Sequence, residues 1–135
     1  ADTHYNRLSS MKNLPESVRN AWNNREGPIA FATVNASGLP NVIYASCVQL
    51  HDPSHLIVAD NYFSKTRANL FETARGSVLF LTKEGKSYQI KGSIEYHKEG
   101  PYYDAMKQWN PAKHPGHAAA VVSIEEAFSG SEKLL

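Results

Sequence analysis

The 135-residue sequence lacks several features that mark specialised classes of protein. Cys47 is its only cysteine, which excludes an internal disulfide and any paired-cysteine metal or redox motif. Fourteen basic residues stand against thirteen acidic ones, so there is no basic excess for neutralising nucleic-acid phosphates. No run approaches the roughly 18 apolar residues of a membrane-spanning helix, and no secretory signal pattern opens the chain. We therefore expect a soluble, cytoplasmic protein with neither a nucleic-acid nor a membrane partner.

The apolar content is sufficient for one hydrophobic core. Apolar residues make up 41% of the chain, and 135 residues is the size of one ordinary domain. We predict a single domain over residues 13–135. The chain opens without Met, and residues 1–12 are interpreted as an N-terminal arm or a remnant of expression.

Short β-type runs separated by turn residues dominate the sequence. We predict strands at 28–35, 40–50, 56–59, 78–82, 88–97 and 118–124, and helices at 13–24, 65–74 and 102–109. Turns join most strand pairs, whereas parallel strands need long crossovers, so the pattern favours a mainly β fold with short helices. We expect a Greek-key-like antiparallel barrel of about six strands. Gly92, in mid-strand, predicts a bend or a close backbone approach.

The second predicted helix begins with groups that attract anions. A wholly apolar strand at 56–59, which is expected to lie in the interior, ends at Asp60. A polar loop then leads to Ser64, a favourable N-cap residue. The first turn offers hydroxyls, cations and free backbone N–H groups, from Ser64, Lys65, Thr66 and Arg67. These residues alone leave two interpretations open, a phosphate site or an ordinary helix cap with solvated basic side chains. Further along, Ala68, Leu70 and Phe71 are expected to face inward.

Four segments follow one another in an order that is more specific than any one of them. They are AFATVNASGLPNV at 30–42, SKTRANL at 64–70, SVLFL at 77–81 and QIKGSIEY at 89–96. This order resembles the flavin-binding split barrels related to pyridoxamine 5′-phosphate oxidase, and in particular their small FMN-binding members. The resemblance extends from about Trp22 to Ile124.

The resemblance implies a split barrel that works as a homodimer and holds FMN non-covalently at the dimer interface. The FMN phosphate would lie at the helix start, and the cofactor residues there are Ser64, Lys65, Thr66 and Asn69. The flavin ring would lie against backbone of the strand at Tyr44, Ala45, Ser46 and Cys47. The strand end at Val58, Ala59 and Asp60 would also line the ring. A wall from the partner subunit would include Trp109, the loop from His114 to His117 and the C-terminal Leu134 and Leu135, with Trp109 and His117 assigned to the cofactor.

The resemblance also implies an oxidoreductase in which the flavin, rather than a side chain, carries the electrons or hydride. The donor would be NAD(P)H or a redox protein, and no catalytic side chain is assigned. Oxidation of pyridoxamine phosphate itself is not expected, because residues 125–133 lack the Arg and His of that family's C-terminal substrate motif.

Two alternatives stay open beside this hypothesis. One is a flavin or tetrapyrrole carrier without turnover. Another is a small barrel that binds nucleic acid or protein, for which the lysines near Tyr88 give only a weak basic and aromatic face. His114 and His117 could offer two imidazoles to a metal, but without a third nearby ligand we predict a polar loop and no metal site.

Overall fold

One antiparallel sheet organises the chain. The structure, a computed structural model, describes residues 11–135, so the predicted N-terminal arm falls mostly outside the described residues. The strands are β1 Arg25–Val34, β2 Pro40–Ala45, β3 Val48–Asp52, β4 His55–Asp60, β5 Arg75–Thr82, β6 Ser87–His97, β7 Ala118–Ser129 and β8 Glu132–Lys133. The helices are α1 Glu16–Asn23, α2 Lys65–Glu72 and α3 Pro101–Trp109. Within this described part of the chain, no helix has both the length and the apolar character needed to cross a membrane.

The sheet surrounds one apolar core. Its strand order is β2-β1-β5-β6-β7-β4-β3, and β8 pairs with β7. Alternate residues of β1 face inward, and the core takes side chains from six strands, among them Phe31, Val48, Leu56, Val78, Ile90 and Val122. One contact joins strands near opposite ends of this order: Arg25 at the start of β1 donates from Nη2 to the carbonyl of Val48 on β3, at 3.3 Å. The predicted mainly β, antiparallel fold with short helices is confirmed.

The sheet has eight strands rather than the six expected. The predicted strand at 40–50 is interrupted at Ser46 and Cys47, because β2 pairs with β1 whereas β3 pairs with β4. The chain changes neighbour there without a glycine or proline to mark the break. The tail, where no strand was predicted, adds the short strand β8 against β7.

The helix α2 presents a different face to the core from the one predicted. Leu70 is buried as expected, but Ala68 and Phe71 are exposed. The other buried positions of the helix are the polar residues Thr66 and Asn69. Asn69 donates from Nδ2 to Oγ1 of Thr33 on β1, at 3.0 Å, which satisfies both polar groups inside the fold.

Gly92 lies at an irregularity in the β6–β7 pairing, as the sequence predicted. A Cβ atom at this position would lie 2.0 Å from the carbonyl oxygen of Ser123. The two strands therefore approach each other at a distance that only glycine permits.

The helix α3 covers the outer face of β4 and β7. Met106 of this helix is fully buried in a second apolar cluster with Ile57, Ala59, Ala119 and Val121. Both faces of β4 are therefore buried, which confirms the interior strand predicted from its wholly apolar sequence. The strand ends at the same edge of the fold as the break between β2 and β3.

Candidate functional site

An open groove of about 340 Å³ lies where β2 and β4 end. Residues from Ile43 to Cys47 form one wall, and Ala59 with the loop from Asn61 to Phe63 forms the other, while His114 completes the lining. The amide of Ala59 donates to the carbonyl of Cys47 at 2.9 Å, which joins the two walls. The side chains of Ala45, Ser46 and Ala59 in these walls are small, so they occupy little of the groove. The volume is within the range of small-molecule sites.

Asp60 fixes the loop beside the groove. Its carboxylate is fully buried and accepts hydrogen bonds from Arg67 Nε at 2.7 Å, Arg67 Nη2 at 3.1 Å, the Phe63 amide at 3.0 Å and the Tyr96 hydroxyl. Burial alone would raise the pKa of the Asp60 carboxyl, but these hydrogen bonds and the Arg67 charge outweigh it and hold the pKa below its usual range. Burial and the contact with Asp60 raise the pKa of Tyr96 to about 12. Asp60 is therefore an ionised anchor for α2, β6 and the groove loop.

The loop between α3 and β7 is hydrogen-bonded to the groove loop that follows β4. The side-chain amides of Asn61 and Asn110 exchange two hydrogen bonds, at 3.0 and 2.9 Å, and the Gly116 amide donates to Asn61 Oδ1 at 2.9 Å. The same loop carries His114, whose Nδ1 lies 3.1 Å from the Tyr62 hydroxyl. Both side chains line the groove. The fold thus brings together two segments about 50 residues apart in the chain.

The predicted phosphate residues divide between the surface and the interior. Ser64 and Lys65 are exposed and follow directly after the groove-lining Phe63, but the Ser64 side chain makes no capping hydrogen bond. Thr66 is almost completely buried and accepts from Asn41 Nδ2 at 3.3 Å. Lys65 is therefore an exposed cation that follows the groove loop directly in the chain.

Comparison with known proteins identifies the family. The model of the pyridoxamine 5′-phosphate oxidase family matches residues 14–129. The chain belongs to this family. An uncharacterised protein of Methanocaldococcus jannaschii is 30% identical over 110 residues, covering 77% of this chain and 74% of that protein.

Solved structures similar to this member of the pyridoxamine 5′-phosphate oxidase family share its fold. HupZ of Group A Streptococcus superposes with a TM-score of 0.78 at 26% identity, covering 90% of this chain and 98% of that one. An FMN-binding protein from Syntrophomonas wolfei superposes with a TM-score of 0.75 at 21% identity, covering 96% of this chain and 91% of that one.

Only part of the site assigned from the family resemblance comes together in the groove. The assigned residues that line it are Tyr44, Ala45, Ser46, Cys47 and Ala59. Val58 points into the core, and the carboxylate of Asp60 is occupied by Arg67, so neither side chain reaches the groove.

Asn69 also has its side chain elsewhere, and Trp109 and His117, which were assigned to a wall from the partner subunit, do not line the groove of their own chain. Asn69 is buried against Thr33, and Trp109 packs on the apolar cluster around Met106. His117 lines a different groove from His114. The two histidines of this loop therefore serve separate surfaces, and residues 11–135 contain no group of three His, Cys, Asp or Glu side chains arranged to hold a metal.

The groove also contains residues that the sequence argument did not assign. Asn61, Tyr62 and Phe63 follow directly after β4, so their position at a strand end was an available signal. His114, which was predicted to belong to a wall from the partner subunit, lines the groove of its own chain, and the Asn61–Asn110 contact that holds its loop there follows from no local pattern in the sequence.

Proposed function

We propose that this member of the pyridoxamine 5′-phosphate oxidase family binds FMN non-covalently in the groove between the ends of β2 and β4. The observation that carries the proposal is a groove lined by small side chains, whose lining residue Phe63 is followed directly in the chain by the exposed Ser64 and Lys65. FMN has a planar ring at one end and a phosphate at the other. The groove suits the ring, and the exposed lysine suits the phosphate. The S. wolfei protein with the same fold is described as FMN-binding, which supports the choice of flavin.

The chain's own residues would bind and orient the cofactor. Tyr44 to Cys47 and Ala59 would lie against the ring, Tyr62 and His114 offer the polar side chains of the groove, and Lys65 would neutralise the phosphate. Bound FMN supplies two-electron chemistry, so an oxidoreductase needs little acid–base machinery from the protein.

A self-association surface adjoins this groove. On β1, Ala30 and Ala32 face away from the core, and Ala30 pairs with Tyr44 on β2 and with Leu79 on β5. Directly paired residues of an antiparallel sheet point to the same side, so these side chains form one outer face. The large apolar members of the outer face are exposed: Val42 64%, Tyr44 80%, Leu79 46% and Leu81 50%. We propose that two copies pack through this face, with FMN at the edge where Tyr44 belongs to both surfaces.

Introducing negative charge into the outer face tests the dimer. By light scattering, we expect the wild-type chain to be a dimer and the double variant Leu79→Glu, Leu81→Glu to be a monomer. In a dimer of that variant, two carboxylates per copy would be buried without partners. Ala112→Glu places the same charge on an exposed loop residue outside the face and should remain dimeric. A monomeric starting protein would contradict the proposal.

Anaerobic mixing tests the oxidoreductase function. We expect NADH, NADPH or a reduced redox protein to bleach the visible flavin absorbance of the FMN-bound protein, because the groove leaves the bound ring accessible. Reoxidation by an added acceptor completes the turnover. Bound FMN that none of these donors reduces would favour the alternative of a flavin carrier.

A further inference from the structure

A second groove of about 370 Å³ shares no residue with the flavin groove. It is lined by three basic and two aromatic side chains, with no acidic side chain: Arg67, Lys98, His117, Phe71 and Tyr96. These residues come from α2, from the end of β6 and from the loop before β7, so the fold assembles them from distant parts of the chain. We call this the basic groove.

Arg67 is fixed in direction by the buried anchor. Its Nε and Nη2 donate to the two oxygens of Asp60, and Nε also lies 3.2 Å from the Tyr96 hydroxyl. Nη1 has no hydrogen-bond partner among residues 11–135, and the side chain is 36% exposed. A guanidinium held in this way presents its free N–H groups without the entropy cost of ordering a long side chain.

The other two basic residues of the groove are available to an anion. Lys98 and His117 are exposed, and neither forms an ion pair within the part of the chain that the structure describes. Asp60 neutralises only Arg67, so the groove keeps a positive charge from Lys98, and the ring of His117 offers a further hydrogen-bond donor. Three donors from three elements suit a phosphate, which has three acceptor oxygens, better than a carboxylate, which has two.

The aromatic wall gives the basic groove a second chemical character. Phe71 is 64% exposed, although the sequence predicted that it would face inward, and it packs edge-on against Tyr96 with ring centroids 5.1 Å apart. Tyr96 is itself held by Asp60, so Phe71 has a rigid support. An exposed phenyl ring beside cations is a surface on which a heteroaromatic base can stack.

We propose that the basic groove binds a nucleoside phosphate, with the base on Phe71 and the phosphate on Arg67 Nη1, Lys98 and His117. The groove volume exceeds what an inorganic anion would fill and lies within the range of small organic ligands. A nucleoside phosphate joins a stacking ring to a phosphate through a sugar, which matches the separate aromatic and cationic walls. The site is independent of the flavin groove and does not require that FMN be bound.

Calorimetric titration of the full chain with ADP, inorganic phosphate and adenosine tests this assignment. We expect ADP to bind at least about tenfold more tightly than either fragment, since only ADP engages both walls. Lys98→Gln should weaken ADP binding about tenfold. Phe71→Ala should lower the affinity for ADP to about that for inorganic phosphate. Lys83→Gln, which removes an exposed lysine in the β5–β6 turn, should leave ADP affinity unchanged.

Ala45→Trp separates the two grooves, because it fills the flavin groove and leaves the basic groove intact. We expect this variant to lose flavin binding and to keep ADP binding. Loss of ADP binding in Ala45→Trp but not in Lys98→Gln would place ADP in the flavin groove and overturn the proposal. Equal affinities for ADP and inorganic phosphate, or equal losses in Lys98→Gln and Lys83→Gln, would also overturn it.

Discussion

Asp60→Asn should lower the free energy of unfolding by about 3 kcal/mol, measured by urea denaturation at pH 7. The carboxylate of Asp60 is fully buried and accepts four hydrogen bonds, and its loss leaves the charge of Arg67 without its partner. We place the effect at the lower end of the range for broken buried ion pairs because Arg67 is partly exposed to water. Asp60 also holds the Phe63 amide, so the groove loop should loosen in this variant.

The effect of Asp60 should depend on pH in a defined direction. The pKa of Asp60 in the folded protein is lower than in the unfolded chain, so its stabilisation is fully present above the unfolded pKa, about 3.9. It is lost as the pH falls through the lower folded pKa. The difference in the free energy of unfolding between wild type and Asp60→Asn should therefore be largest above about pH 4 and shrink in stronger acid.

Glu99→Gln is the matched control, since it makes the same carboxylate-to-amide change at an exposed position. It should alter stability by no more than about 0.5 kcal/mol. Equal stability of Asp60→Asn and Glu99→Gln would contradict the role of Asp60 as an anchor.

Lys65→Ala should weaken FMN binding by roughly 10- to 100-fold and leave riboflavin binding within about twofold. The two flavins differ by the phosphate alone, and Lys65 is the exposed cation directly after the groove loop. A charge-assisted hydrogen bond to phosphate is worth about 1.5–3 kcal/mol, which corresponds to this range. Quenching of flavin fluorescence measures both affinities.

Lys83→Ala removes an exposed lysine far from the groove in the chain and should change neither affinity. Equal losses of FMN and riboflavin in Lys65→Ala would show that the phosphate lies elsewhere.

The parts of the fold that were predicted correctly depend on local patterns. The wholly apolar run at β4 predicted a buried strand, and Gly92 in mid-strand predicted a bend or a close backbone approach. The structure agrees with each prediction. The break at Ser46 and Cys47 could not be predicted, because it reflects a change of strand partner and not a local signal. Likewise, α2 turns the polar Thr66 inward and Phe71 outward, since Asn69 of the same buried face finds its partner on β1.

The candidate site shows the same division. Ala45 and Ala59 were assigned from the order of segments and do meet in one groove. Asp60 was assigned to the flavin, but its carboxylate is occupied by Arg67, a partner that spacing alone did not select. His114 and His117 lie three residues apart, yet they line different grooves, because the Gly116 amide is fastened to Asn61 between them.

The central claim is that the groove between β2 and β4 binds FMN, and direct titration of the purified, flavin-free chain with FMN tests it. The account predicts saturable quenching of flavin fluorescence that ends at one FMN per chain, and its loss in Ala45→Trp. Fluorescence that stays unquenched as protein is added, or quenching that Ala45→Trp leaves intact, would contradict it.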